Sequence, residues 1–474
     1  MEVLQRTANR GSVSTGPYQI DNSVKMEADN TEYLNRVIAS GGNRKTWTIS
    51  AWVKRTEISD ASHGGGHTIF AVNVSGNEGC LLRFNTGTTA ATLDTIQIDI
   101  GAGSTLSRSH TSQVFRDTSA WYHIVLAVDT TQSTDTDRFK LYVNGELVTS
   151  YYSRNNPAQD FDTSNNQAAN SCTQHIGAYT SGGTSYGKFC GYIAEVNHVD
   201  GTALAPTAFG EVDDDTGIWI PIKASPTYGT NGFFLDFADS GNLGDDESGN
   251  GLDFTEVNIA AADQATDTPT NNFCIINPLF TYPSSQVISQ GGTKVARSSG
   301  SGLNKTFLGT IPVNGGKWYA EFEPIESNSN YVPGVVDTTD ASTVTLDGNH
   351  IGNSTGIPKS IGYYSATGGV LAGSNAANGA WGDTFTADDI IGVALDMDNR
   401  KVYFSKNGTF QNSSDPTNGT NAITLTNTTD PYLFGFTYDT SGNMYCNFGG
   451  YTVSSLSSSA SDENGYGSFE YAPP

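Results

Sequence analysis

Basic residues and long apolar runs are scarce in this sequence. Only 24 of its 474 residues are Lys or Arg, against 49 Asp and Glu, so the formal net charge is −25. Phosphate binding needs a basic surface, so this charge argues against nucleic acid and against an anionic membrane surface as partners. The sequence contains no run of 18 apolar residues, which predicts no transmembrane helix and no membrane insertion.

The N-terminus lacks the apolar segment of a signal peptide. It reads MEVLQRTANRGS, in which no continuous apolar stretch follows the first residues. We therefore expect synthesis in the cytoplasm without a signal peptide. Any export would use another route, such as assembly into a particle that is released by lysis.

Cysteine and histidine are few and scattered. The odd number of Cys and the absence of CxxC spacing argue against a metal cluster. Buried free thiols are the interpretation we favour, and a Cys172–Cys190 disulfide is the alternative. Among the His residues, His63 and His67 are the nearest pair, but a zinc site would need further ligands close by. The five cysteines are Cys80, Cys172, Cys190, Cys274 and Cys446.

Residues that favour turns are abundant in this sequence. The chain has 53 Gly, many Ser, Thr and Asn, 11% aromatic residues and only 15% charged residues. Short stretches of alternating apolar and polar residues lie between clusters of Gly, Asn, Asp and Ser, and none shows a sustained 3.6-residue period. This composition predicts an all-β protein of the sandwich or barrel type.

One supersecondary pattern occurs twice. In KVYFSKNGTF, Val402 and Phe404 alternate with polar neighbours before Asn407-Gly408. Asn-Gly favours a type I′ hairpin turn, because both central residues of that turn need φ > 0. The stretch 124–148 repeats the order: a buried run ending in Asp, a polar turn, an alternating strand and then Asn144-Gly145. We therefore predict two β-domains of related architecture.

The same patterns divide the chain into five regions. Residues 1–40 are the predicted N-terminal attachment segment, and 41–210 form the first β-domain. The Gly- and Asp-rich region 211–285 either completes that domain or bridges to the second, which spans 286–450. The tail, 451–474, has too few apolar residues for a core of its own.

The strand motifs of the two domains resemble two known families. TWTISAWVKR, WYHIVLAVD, KLYVNGELV and GYIAEVNHVDG resemble, in that order, a laminin-G or concanavalin-like jelly roll. GGKWYAEFEP, GYYSATG, DDIIGVALDMDNRKVYFSKNGTF and YLFGFTYD resemble a SPRY domain. Both families are antiparallel β-sandwiches. The resemblance therefore implies two antiparallel jelly-roll or concanavalin-like sandwiches in tandem, with a Gly/Asp-rich connecting region.

The joining segments resemble a third group of proteins. GTALAPTAFGEVDDDTGIW and TDTPTNNF are similar to segments of virion proteins from tailed bacteriophages, especially marine ones. The resemblance implies a virion location and contacts with other virion proteins through the N-terminal segment. It also implies a homo-oligomer, with a trimer as one form because fibres are often trimeric.

Aromatic residues in or beside loops of the second domain are the candidates for ligand binding. Tyr363, Tyr364 and Trp381 could stack on sugar rings or fill a peptide pocket. Packing in the core or at its rim is the alternative for each of them.

The acidic stretch ADSGNLGDDESGNG is the candidate for a metal site. Asp239, Asp245, Asp246 and Asn250 supply the oxygen ligands that Ca²⁺ prefers, although their spacing does not match an EF-hand. Jelly rolls of the family that the first domain resembles often hold a structural Ca²⁺. The alternative is an acidic, Gly-rich turn, and we predict no other cofactor.

Two motifs raise the question of catalysis. Glu321 and Glu323 of EFEPIE share one face of a strand, as the carboxylates of some jelly-roll glycosidases do, but we interpret them as a solvated strand face. GTSYG, residues 183–187, matches G-x-S-x-G but lies in a Gly/Ser loop without the helix that a nucleophile elbow requires. We therefore predict no enzymatic activity.

Together these observations predict a phage virion surface protein, either a tail fibre or tip or a fibre that decorates the capsid. Its β-sandwiches would adhere non-covalently to a host-surface or environmental glycan, or to a host protein, with multivalency strengthening weak single sites. One alternative is a purely structural capsid or baseplate component. The other is a secreted protein that binds or hydrolyses glycans.

Overall fold

The chain forms two compact units. The first unit is Ser14–Thr270, and the second unit combines Met1–Val13 with Asn271–Pro474. The computed structural model describes residues 10–13, 18–58, 65–74, 77–87, 89–102, 105–168, 172–280, 286–297, 305–327, 330–343, 348–353, 356–373, 381–439, 442–451, 456–463 and 465–474.

The first unit is a sandwich of two antiparallel sheets whose inner faces share one apolar core. Sheet A has the strand order Glu146–Leu147, Phe139–Val143, Tyr122–Asp129, Thr46–Arg55, Gly191–Asp200, Ser23–Met26, Gln264–Ala265, and Phe233–Leu235 also pairs with Gly191–Asp200. Sheet B has the order Tyr151–Ser153, Thr105–Val114, Thr95–Ala102, Asn77–Asn85, Gly66–Val74, Cys172–Ile176, Tyr33–Val37, Thr255–Val257. Two short hairpins pair Tyr179–Ser181 with Thr184–Tyr186 and Gly210–Val212 with Trp219–Pro221.

The second unit is also a two-sheet sandwich. Sheet C has the order Gln286–Ser289, Lys294–Arg297, Met444–Asn447, Lys317–Pro324, Ile391–Asp396, Lys401–Lys406, Thr409–Phe410, and Ile423–Thr424 also pairs with Lys401–Lys406. Sheet D has the order Lys305–Leu308, Tyr432–Tyr438, Tyr331–Asp337, Ser360–Tyr364, Gly369–Ala372. Arg10–Val13 pairs with Asn271–Phe273, and Ala460–Ser461 pairs with Ser468–Phe469.

Helix is almost absent from the described residues, which confirms the all-β prediction. They hold one α-helix, Thr338–Thr343, and the 3₁₀ turns Ala90–Thr92, Asp135–Asp137, Pro206–Ala208, Ala261–Asp263 and Gln411–Ser413. None of the helices in the described ranges is long and apolar enough to cross a membrane. The five cysteines are buried and free.

The two predicted hairpins have the same geometry. Asn144 and Gly145 have φ values of 48° and 81°, and Asn407 and Gly408 have values of 47° and 77°, as a type I′ turn requires. In each hairpin the Asn side-chain oxygen accepts a 2.8 Å hydrogen bond from the backbone N–H of a residue at or beside the preceding strand, His123 or Ile390. The Asn therefore sets the turn and also fixes the strand beside it.

Chain segments outside the predicted first domain complete its sandwich. Strands Ser23–Met26 and Tyr33–Val37, within the predicted attachment segment 1–40, lie inside sheets A and B. Three strands of the region 211–285 also pair with these sheets: Phe233–Leu235, Thr255–Val257 and Gln264–Ala265. Along the chain, the first compact unit ends at Thr270 and the second resumes at Asn271, whereas the sequence analysis placed the boundary near residue 285.

A buried ion pair ties this late region to sheet A. Lys54 Nζ lies 2.6 Å from Asp267 Oδ2, and the two side chains are 0% and 2% exposed. Trp121 Nε1 donates to Asp267 Oδ1 at 3.0 Å. Both oxygens of the Asp267 carboxylate therefore contact buried donors. Asp267 thus connects the end of the first unit to strand Thr46–Arg55 and to Trp121, which directly precedes strand Tyr122–Asp129.

We expect Asp267→Ala to lower the free energy of unfolding of the first unit by about 3–5 kcal/mol, because it leaves the Lys54 ammonium buried without this partner. Urea unfolding followed by tryptophan fluorescence measures the loss. The control is Lys45→Ala, which removes the exposed Lys45–Asp160 pair (3.2 Å) and should cost about 0–1 kcal/mol. Equal losses in the two variants would contradict the assigned role of Asp267.

Candidate functional site: an acidic cleft on the second unit

The outer face of sheet C forms the floor of a polar cleft. In Lys317–Pro324, Trp318, Ala320 and Phe322 point into the core, so Glu321 and Glu323 point outward. In the neighbouring strand, Asn447 lies opposite Glu321 and Tyr445 lies opposite Glu323. The period-2 alternation of two adjacent strands thus places two carboxylates, an amide and an aromatic ring side by side.

The C-terminal tail folds over this floor and fixes Glu321. The backbone N–H groups of Glu470 and Tyr471 donate to its two carboxylate oxygens, each at 2.9 Å. Asn447 Nδ2 donates at 3.2 Å and the Tyr319 hydroxyl at 3.3 Å. Glu321 is therefore 3% exposed, and the prediction that it lies on a solvated strand face is wrong.

The tail and one loop form the walls of the cleft. Its volume is about 280 Å³. Glu323 and Tyr445 are half-buried, and Asp388 is exposed. In the tail, the Glu470 carboxylate accepts hydrogen bonds from the backbone N–H and the hydroxyl of Ser457. The lining residues are Glu321, Glu323, Asp388, Ile390, Tyr445, Asn447, Leu456, Ser457, Glu470 and Tyr471.

Charge in the cleft is mostly negative. Four of the lining residues carry carboxylates, and the Lys294 ammonium lies 5.5 Å from the centroid of the Tyr445 ring. Burial raises the pKa of Glu321 to about 7, while its four hydrogen bonds act in the opposite direction. Such a surface favours neutral or cationic ligands over anionic ones.

The arrangement suits binding better than acid–base catalysis. A general acid must reach the oxygen that it protonates, but both oxygens of Glu321 already accept hydrogen bonds from the tail and from sheet C. Glu323 and Tyr445 are the half-buried groups that remain accessible on the floor. A carboxylate beside an aromatic ring can accept hydroxyl hydrogen bonds while the ring packs against an apolar face of the ligand.

The predicted aromatic candidates lie elsewhere in the second unit. Tyr363 is 0% exposed, its hydroxyl donates to the Asp383 carbonyl, and its ring packs on Phe385 and Phe404. Ligand contact by Tyr363 therefore does not fit the structure, and the alternative of core packing does. Trp381 packs edge-on against Tyr363 at 5.6 Å and is half-buried.

Tyr364 points to the other side of its strand. It is half-buried and packs against a separate small core that includes Val332, Ile351 and Leu371. The three predicted aromatics consequently do not form one surface. Trp381 and Tyr364 keep part of their rings accessible, but neither lines the acidic cleft.

Polar side chains of the predicted Ca²⁺ loop form hydrogen bonds with protein groups in and around the loop. Asp246 is 8% exposed and accepts hydrogen bonds from three backbone N–H groups and the Ser248 hydroxyl, at 2.9–3.0 Å. Asn250 Nδ2 donates to two backbone carbonyls, and Asp239 Oδ1 accepts from Gly241 N–H. Burial, then the carboxylates of Asp253, Asp239 and Asp236, raise the pKa of Asp245. A Ca²⁺ ion would have to displace several of these hydrogen bonds.

Two other sequence motifs have simple structural places. Thr184–Tyr186, within GTSYG, is one strand of a hairpin and leads to no helix among the described residues. His67 lies in strand Gly66–Val74 and is 0% exposed, so it is not in a flexible loop, and His63 lies outside the described residues.

One known family model matches most of the first unit. Residues 29–206 match the family model described as the concanavalin A-like lectin/glucanases superfamily. The fold of the first unit is therefore concanavalin A-like over the matched residues. The match begins at residue 29, so it includes strand Tyr33–Val37, which the sequence had assigned to an attachment segment and which lies inside sheet B. A search of curated proteins finds no match.

Three solved structures are similar to parts of the chain. The SPRY domain of human HERC1 is 17% identical, with a TM-score of 0.27, and the match covers 36% of this chain and 96% of that domain. A putative carbohydrate binding protein from Bacteroides ovatus is 17% identical, with a TM-score of 0.35 and coverage of 51% and 59%. A heptameric SAP-like pentraxin from Limulus polyphemus is 15% identical, with a TM-score of 0.28 and coverage of 39% and 78%. At these TM-scores the likenesses carry no argument about function.

The raised pKa of Glu321 predicts a pH dependence of stability. The folded state holds this proton up to about pH 7, whereas an ordinary Glu loses it near 4.5, so unfolding releases a proton between these values. The free energy of unfolding of the second unit should therefore fall as the pH rises from 4.5 to 7. Glu321→Gln should remove this contribution, and urea titrations at pH 4.5, 6 and 8 measure it.

The matched control for this experiment is Glu323→Gln, on the same face of the same strand but half-exposed. Its pH dependence should follow that of the wild type more closely. Identical pH profiles for the wild type and Glu321→Gln would show that Glu321 does not bind its proton more tightly in the folded state.

Proposed function

We propose that this chain is a non-catalytic display protein that binds a neutral or amino-bearing glycan in the acidic cleft of its second unit. The observation that carries the proposal is the pairing of Glu323 with Tyr445 on the floor of that cleft. The family description of the first unit, which includes lectins, supports glycan binding as the general activity.

The cleft matches the size and chemistry of a short saccharide. Its volume of about 280 Å³ is near the lower end of the roughly 300–1,000 Å³ that is typical of ligand pockets. The Glu323 and Asp388 carboxylates accept hydrogen bonds from sugar hydroxyls, and the Tyr445 ring packs against the C–H face of the sugar. The Glu323, Asp388 and Glu470 carboxylates repel uronic and sialic acids and attract an ammonium group, which sets the expected preference.

The biological setting that we propose is the surface of a tailed-phage particle, as part of a tail fibre or tip or of a capsid-decorating fibre. The support for this setting is the sequence alone: the phage-like joining segments and the acidic composition. Several copies on one particle would give useful avidity from weak single sites. Oligomerisation and contacts with other virion proteins belong to the same proposal.

Tyr445→Ala should weaken glycan binding about tenfold or more, because it removes the ring that packs against the sugar. The measurement is binding of the purified chain to an array of neutral, amino-bearing and acidic glycans, followed by titration of the best ligand. We expect retention of neutral or amino-bearing glycans and rejection of acidic ones.

Tyr364→Ala is the matched control, since it removes a half-buried Tyr of the same unit that does not line the cleft. It should bind like the wild type. Loss of binding in Tyr364→Ala but not in Tyr445→Ala would move the site to the loop aromatics. A wild-type chain that binds no glycan would overturn the proposed function and favour a purely structural role.

A further inference from the structure

A buried set of metal-ligating side chains lies at one end of the first sandwich, outside the acidic cleft. The carboxylate of Glu57, the imidazole of His67 and the thiol of Cys190 have ligand atoms that all lie within 4.8 Å of one another. His67 is 0% exposed and Cys190 is 1% exposed, while Glu57 is half-buried. Among the described residues, this is the one group of three or more His, Cys, Asp or Glu side chains with that geometry.

A second carboxylate, which is not one of these three mutually close groups, lies beside the Cys190 thiol. Glu27 Oε1 lies 3.7 Å from Cys190 Sγ, and the Glu27 side chain is buried. Tetrahedral zinc has Zn–S and Zn–O distances of about 2.3 and 2.0 Å, so its sulfur and oxygen ligands are about 3.5 Å apart. The observed separation is close to this value, and only small side-chain movements would bring the two atoms to it.

The topology of the sandwich holds the four residues in place. Gly191 pairs with Met26 on one side and with Arg55 on the other, so Cys190 lies between the strand ends that carry Glu27 and Glu57. Thr56 N–H donates to the Cys190 carbonyl at 3.2 Å. His67 comes from sheet B, which faces these strands. The ligands therefore bridge both sheets, and their backbones are fixed by strand pairing.

The chemistry of these side chains favours a cation. Carboxylate, imidazole and thiolate groups are the ligands that Zn²⁺ takes in proteins.

We propose that Glu27, Glu57, His67 and Cys190 form a structural zinc site that joins the two sheets of the first unit. Thiolate and imidazole ligands select a borderline-soft ion such as Zn²⁺ over Ca²⁺ or Mg²⁺, and four protein ligands close the coordination sphere. This site is distinct from the Asp239–Asn250 loop. It is also independent of glycan binding, which lies in the other unit.

The test uses the tag-free full chain, stripped with a chelator and then dialysed against Zn²⁺. We expect one zinc per chain by mass spectrometry of the metal and a higher melting temperature for the first unit. Co²⁺ in place of Zn²⁺ should give a thiolate-to-cobalt charge-transfer band. A wild-type chain that takes up no zinc and shows no such band would overturn the proposal.

Cys190→Ser should abolish the charge-transfer band, whereas Cys172→Ser, which alters another fully buried thiol of the same unit, should keep it. Glu57→Gln serves as the second variant, because a half-buried position tolerates substitution and the fold should survive. It should weaken zinc binding about tenfold or more. Retention of the band in Cys190→Ser, or unchanged zinc affinity in Glu57→Gln, would contradict the assigned ligands.

Discussion

Polar groups on the outer faces of the sheets are satisfied by distant segments of the chain, and both units depend on this constraint. A buried charge or amide must find a partner, because an unsatisfied group costs several kcal/mol. In the first unit, Lys54 meets Asp267, and Lys25 lies 2.7 Å from Asp263. In the second unit, Glu321 meets the backbone N–H groups of the tail. These ion pairs and hydrogen bonds hold each late segment of the chain against the strand that it covers.

The same constraint explains why so much of sheet A is buried on both faces. Trp52 stacks on His123 at 4.6 Å on the outer face, and Trp219 Nε1 donates to His123 Nδ1 at 2.9 Å. Burial lowers the pKa of His123 to about 3, so its ring is neutral. The ring stacks with both Trp52 and Trp219. The connecting region thus covers a sheet that would otherwise expose aromatic rings. The cleft that we propose as the binding site likewise lies beneath a covering segment, the tail.

Local patterns predicted some parts of the molecule well and others poorly. The alternation in KVYFSKNGTF and the Asn-Gly pairs gave the strands, their inner faces and the turns, because these depend on neighbouring residues only. Tyr363 was predicted as a loop aromatic that could meet a ligand, but its ring fills the core of the second unit. Glu321 was predicted to be solvated, but the tail covers it. In both cases burial depends on residues far away in sequence, which periodicity does not reveal.

The sequence by itself determined the all-β class, the two related sandwiches and the duplicated hairpin, because alternation and turn chemistry act over a few residues. The tertiary structure alone decided where the proposed sites lie. Glu321 meets Glu470 across 149 positions, and Cys190 meets Glu27 across 163. No short-range sequence pattern encodes such long-range contacts. They follow from the order of the strands within the sheets and from the late segments of the chain that fold back over those sheets.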